Sequence, residues 1–275
     1  MPNKPTVGPQ LPLHINLRFA YILSFITALL MIASGIAGLT DQSTLYPSDE
    51  LRQTFLPNDV VNLAIGVPIL LLSMWLTQRR KLIGLLFWPG ALFYVFYNYI
   101  AYLFGIPFSY TFPLNLTLVT LSVYTIIVLV GSIDGKIVQE KLHDKVPEKF
   151  TGGIIAAFGI LFAVRVAAVV IGALVKEMPI PTTELPVLIA DFLVSPAFII
   201  GGVLLWRRQA LGYLSGLGLL FQASMLFIGL IVFMLIQPLL TDASFPLLDI
   251  VVVAVMGLIC FVPFGLYVRG ATLKS

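Results

Sequence analysis

Arg165 is the residue in this chain that most demands a chemical explanation. It stands about twelve residues into an uninterrupted apolar run, roughly 18 Å along a helix from the start of that run. A guanidinium at such a depth in a bilayer costs about 2.5–3.5 kcal/mol, so it must face protein and meet a partner or water. Its N–H fork suits either an anionic ligand or an ion-pair gate. Asp191 and Asp249 open later apolar runs on the side opposite the termini, and are the expected counter-charges or proton carriers.

Uncharged polar residues share that depth. Asn62 opens the second apolar run, Asn98 lies near the far end of the third, and Gln222 lies deeper in the seventh. Tyr94, Asn98 and Tyr102 fall on one helical face at i, i+4 and i+8, with Tyr97 beside them. The set Arg165, Asp191, Asp249, Asn98, Gln222, Tyr94, Tyr97 and Asn62 therefore predicts a polar cavity that opens outward and is closed below by apolar packing. A plainer reading competes at several positions. Asp59, Asn115 and Asp249 have the place of helix caps, and Tyr99 and Tyr102 that of an interfacial aromatic belt.

Other chemistry has no footing. The two histidines, His14 and His143, lie outside the apolar runs, so no intramembrane His cluster can hold a catalytic metal. The chain lacks G-x-S-x-G, G-x-x-x-x-G-K-[ST] and H-E-x-x-H. No catalytic residue and no cofactor is indicated. Cys260, the lone cysteine, excludes an internal disulfide and sits in apolar sequence, as a buried inert thiol does.

The elements that position these residues follow from hydropathy. The chain is 59% hydrophobic and 11% charged, with mean hydropathy +1.01, well beyond the usage of soluble domains. Runs at 17–39, 59–77, 82–104, 112–131, 153–175, 187–206, 211–237 and 246–267 are each about long enough to cross a hydrocarbon core of about 30 Å as a helix. They predict an all-α integral membrane protein of eight transmembrane helices. A β-barrel needs alternating segments of about ten residues instead. The first run exceeds the length of about 7–15 residues of a signal-peptide core and is read as a helix.

Every Lys and Arg except Arg52, Arg165 and Lys176 falls on the side of the termini, Lys4 and Lys274 included. The positive-inside rule then places both termini in the cytoplasm, and the protein as multi-pass in the plasma (inner) membrane. The net charge of +3 is spread over span ends, which excludes nucleic acid as a partner. Lipid bilayer and a small-molecule solute are the expected partners, with self-association left open. Trp75, Trp88 and Trp206 lie toward the same side, as belt residues.

The chain also repeats itself. Shifted by 128 positions, Pro68, Arg79, Arg80, Gly84 and Gly90 fall on Pro196, Arg207, Arg208, Gly212 and Gly218. Four helices per half make the halves parallel, 1–131 and 152–275, related by an axis along the membrane normal. Gly38 opposite Gly172 is nearly all that pairs the first helix with the fifth. The charged linker 132–151 reads as a solvated turn, with a partner-docking helix as the rival. Pro68 and Pro196 predict matching kinks. Gly212 with Gly216, and Ala163 with Ala167, are small-residue pairs suited to close helix approach.

The expected function is a transporter or permease-like binder of a small solute through the polar cavity. The alternative is a noncatalytic membrane scaffold or sensor that binds a lipid or a partner subunit, with Arg165 ion-paired in the core. A lipid enzyme is the remaining class, without a motif behind it.

Overall fold

In lipid every backbone polar group must be satisfied inside the protein, and long apolar segments achieve this by becoming helices. The computed structural model describes residues 11–272, and all eight apolar runs within them are helical. Lys4 and Lys274 lie outside the described residues. The order is α1 (Arg18–Thr40), a short α2 (Gln42–Leu45), α3 (Asp49–Val61), a π turn (Asn62–Gly66), α4 (Val67–Gln78), α5 (Leu82–Gly105) and α6 (Phe112–Ser132). There follow α7 (Gly135–Leu142), α8 (Glu148–Lys176), α9 (Leu185–Trp206), α10 (Ala210–Leu240) and α11 (Leu247–Thr272). The segments α3, π turn and α4 form one continuous span, Asp49–Gln78.

That second span starts well before the apolar run at 59. Ser48 accepts from the Leu51 N–H at 3.3 Å, and Asp49 and Glu50 occupy the first turn, where acids complement the helix dipole. Hydropathy misses this polar prefix, although capping chemistry marks it. The two prolines are accommodated differently. Pro68 follows the π turn, whereas Pro196 lies inside the α-helix Leu185–Trp206.

The α4–α5 and α9–α10 connections have the same build. Arg80 and Arg208 adopt φ of 57° and 55°, a left-handed conformation that costs non-glycine residues about 1–2 kcal/mol. In both turns the next residue donates back to the helix: Lys81 to the Leu76 carbonyl at 3.0 Å, and Gln209 to the Leu204 carbonyl at 2.8 Å. A Cβ on Gly84 would meet the Thr77 nitrogen at 2.6 Å, and one on Gly212 would strike the Leu204–Leu205 backbone, so each hairpin closes on a glycine.

Helices α5 and α10 meet at the centre, where Gly90 packs directly on the Gly218 backbone. Helix α5 is mostly buried, whereas α8 and α11 are mostly exposed, which places α5 inside and the latter two at the periphery. Helix α8 packs on α9 through glycines: a Cβ on Gly152 would lie 2.6 Å from the Gly202 carbonyl oxygen. The pair Ala163 and Ala167 does not serve that role, since Ala167 is exposed. Gly38 presses on Asp59 and Tyr46 while Gly172 meets nothing within 4 Å, so α1 and α8 carry unlike surroundings.

The linker departs from a solvated turn. Asp134 caps α7 by accepting from the Lys136 and Ile137 N–H groups at 2.9 and 3.2 Å. Val138, Leu142 and Val146 recur at helical spacing and are buried, so α7 seats its apolar stripe on the bundle. Gln139 donates to the Arg208 carbonyl at 2.8 Å. The amino-terminal segment pairs with the start of this linker, Leu13 with Ile133, and Gly270 rests on Lys145. Both described chain ends thus share one end of the bundle with the linker. Trp75 and Trp206 are half exposed, as belt residues are, but Trp88 is fully buried and donates to Ser24 Oγ at 2.9 Å. Its place on the central α5 decides this, not its depth.

Candidate functional site

Arg165 reaches from α8 to Asp191 on α9, Nη1 to Oδ2 at 2.5 Å, and to Glu184 just before α9, Nη2 to Oε1 at 3.4 Å. The other oxygen of Asp191 accepts from the Tyr97 hydroxyl on α5 at 2.9 Å. Asp191 is 1% exposed and the Arg165 side chain 40%. Three of the expected site residues, Arg165, Asp191 and Tyr97, therefore form one cluster that ties α8 and α9 to α5. Glu184 belongs to it and escaped sequence reading because it lies outside the apolar runs. Asp249 is exposed in the first turn of α11, apart from this cluster. One guanidinium facing two carboxylates leaves no surplus positive charge to anchor an anion.

Gln222, Tyr94 and Asn62 occupy the seam of the bundle. Gly218, Gln222 and Gly229 share a face of α10 at i, i+4 and i+11. That face is turned to α5, because Gly218 meets Gly90 and a Cβ on Gly229 would lie 3.5 Å from the Tyr94 hydroxyl. Gln222 between them is wholly buried, and neither its Oε1 nor its Nε2 has a hydrogen-bond partner among the described residues. Asn62 is 1% exposed, and its Oδ1 too has no partner among the described residues. A Cβ on Gly66 would touch both the Tyr94 ring at 3.3 Å and Asn62 Oδ1 at 3.6 Å, so glycine in the π turn makes room for both. Asn98 is tied down, donating to the Tyr94 carbonyl at 3.1 Å and accepting from Asn58 at 3.5 Å. Phenylalanines wall the seam: Phe221 packs with Phe87 at 5.1 Å and with Phe264 at 6.0 Å.

A third polar group lies one turn from Asn62. Asp59, 1% exposed within α3, accepts from the Tyr46 hydroxyl at 2.7 Å and from the Tyr102 hydroxyl at 2.8 Å. It is no helix cap, since α3 begins at Asp49. Tyr99 and Tyr102 are buried rather than interfacial. Asn115 likewise faces inward and accepts from Ser34 at 3.2 Å. The signal for this group was legible: an acid and tyrosines at one depth of neighbouring spans.

The chain matches no family model, no curated protein and no solved structure. Function therefore rests on these side chains alone. Among the described residues no three His, Cys, Asp or Glu side chains gather as a metal centre. What the arrangement offers is hydrogen bonding: a buried amide free to donate and accept on the α10 face turned to α5, with the Tyr94 hydroxyl meeting that same face about two turns farther along, at Gly229.

Proposed function

We propose that this chain, a multi-pass membrane protein by its eight apolar helices, is a carrier that binds a small polar solute without net negative charge between two duplicated halves. The unpaired amide of Gln222 carries this reading. A buried donor or acceptor left unsatisfied costs about 1–3 kcal/mol, and an apolar seam supports such a group when a ligand pairs with it in another state of the cycle. Tyr94 meets the same face of α10 at Gly229, about two turns beyond Gln222, and Asn62 lies beside Tyr94 across Gly66. The Arg165, Asp191 and Tyr97 tie would then be the gate, and because its one guanidinium already faces two carboxylates, Asp191 and Glu184, it does not call for an anionic solute.

The matched turns at Arg80 and Arg208, and the contact of Gly90 with its counterpart Gly218, support the duplication. An axis through that contact, along the membrane normal, makes the halves parallel repeats. The lysines and arginines at the end bearing the termini support a cytoplasmic placement of both, in the plasma membrane.

The test is a thermal-stability screen of the protein in nanodiscs against neutral and zwitterionic solutes, wild type beside Gln222→Leu. Ligand at 100 times its dissociation constant adds about 2.7 kcal/mol. The variant should be more stable without ligand by about 1–3 kcal/mol and should lose the ligand shift. An unstabilised variant that keeps the shift would sink the assignment. A second reading has its own observation: α8 leaves most of its apolar surface free, Leu161, Val164 and Leu174 among it. That surface suits a scaffold or sensor receiving a lipid or a partner helix, and silence of every solute with a lipid-dependent melting point would favour it.

A further inference from the structure

Asp59 is a carboxyl group buried in a membrane bundle, and among the described residues no cation meets it. Burying a lone carboxylate is prohibitive unless it is paired or neutralised. The titratable groups facing it are all tyrosines: Tyr46 from the connection after α2, Tyr102 on α5, and Tyr99 behind it, its ring 5.3 Å from that of Tyr102. Helix α1 presents Gly38 to Asp59. Helix α10 meets α3 on either side of Asp59, at Val61 and at the Gln53 carbonyl, which accepts from Gln237 at 3.1 Å. No Lys, Arg or His enters this contact set.

We propose that Asp59 is a proton-binding site that loads and unloads through Tyr102. The geometry supplies the switch. The Tyr102 hydroxyl lies 2.8 Å from Asp59 Oδ1 and 3.4 Å from the Phe55 carbonyl, a second acceptor. With Asp59 ionised, Tyr102 and Tyr46 both donate to it. When a proton binds Oδ1, the new Asp59 O–H donates to the Tyr102 oxygen, and the Tyr102 O–H turns to Phe55. The proton comes from and returns to water. Tyr102 borders, with Ser109, Thr111, Asn115 and the apolar Leu103 and Phe112, a depression at the end of the bundle away from the termini that is too narrow for water here, so proton exchange at Asp59 requires that end to open. A metal ion is disfavoured as occupant because both carboxylate oxygens already face hydroxyl hydrogens. Asn62, with its unpaired Oδ1, follows Asp59 by one turn and contacts Tyr102 through its Nδ2 at 3.5 Å. The site is thereby linked to the seam; that it couples to solute rests on the carrier reading, while proton binding does not.

The experiment is infrared difference spectroscopy of the full chain in nanodiscs, without solute, stepped from acid to alkaline pH. The expected result is a protonated-carboxyl C=O band lost as pH rises, absent in Asp59→Asn and retained in Asp191→Asn. Tyr102→Phe should lose its band at higher pH, because the carboxylate has one donor fewer; this variant keeps the question decidable if Asp59→Asn does not fold. Exchange of sodium for choline should leave the transition in place. A band unchanged in Asp59→Asn, no titrating band in the wild type, or a transition that moves with sodium would each overturn the proposal. A titrating Asp59 in a protein whose Gln222→Leu variant binds solute normally would instead leave the proton site standing and remove the carrier reading.

Discussion

Among the described residues Asp191 has two partners, Arg165 and Tyr97, and they make its removal informative. Arg165→Met leaves Asp191 buried with only Tyr97 to donate to it, a loss expected at about 3 kcal/mol. Asp191→Leu strands a half-exposed guanidinium that still reaches Glu184, and should cost less. The double variant should regain most of the loss if the pair is structural, and lose ligand response as well if it is the gate. Chemical unfolding in detergent micelles measures the first quantity, and the nanodisc melting shift the second. Sequence placed Arg165, Asp191 and Tyr97 among the candidates, but gave Asp249 an equal claim with Asp191. Only the rotation of α9 against α8 distinguishes them.

Helix contacts here depend on glycine more than on charge. Gly90→Val would force its side chain into the Gly218 backbone and separate α5 from α10, an overpacking cost of at least about 1–3 kcal/mol. Gly265→Ala should be neutral or stabilising by up to about 1 kcal/mol, since nothing lies within 4 Å of its Cβ position and alanine favours helix. Equal losses in the two variants would show that glycine acts here through backbone freedom instead of close approach. Gly38→Ala is the third member of the series: it pushes on the Asp59 carboxyl, so it should disturb the proton site as well as the fold. The pairing of Gly84 with Gly212 was legible from spacing, whereas the glycine contact of α8 with α9 was not. Both lie in apolar sequence, and only the former is marked by a preceding Arg-Arg turn.

Orientation is a property of the whole chain. With Cys260→Ser as background, a cysteine at Phe108, an exposed position in the α5–α6 connection, should react with a membrane-impermeant thiol reagent on intact cells. A cysteine at Lys136, on α7, should react only after permeabilisation. The reverse pattern would invert the proposed placement of the termini. The two positions are both exposed and lie at opposite ends of the bundle, so differential labelling reads sidedness and not burial.

Eight helices, and the approximate ends of all but the second, were determined by sequence alone, because span length and hydropathy are local properties. The polar prefix of the second span and the docked α7 were partly legible, through Ser48, Asp134 and the spacing of Val138 with Leu142. Tertiary structure alone decided which polar groups meet: Tyr97 with Asp191, Tyr46 and Tyr102 with Asp59, Trp88 with Ser24. The physical reason is that a helix in lipid is apolar on its outer face and on its inner face alike, so hydropathy does not report its rotation. Close glycine contacts such as Gly90 on Gly218 set that rotation, and with it the inward aim of Gln222 and Asp59.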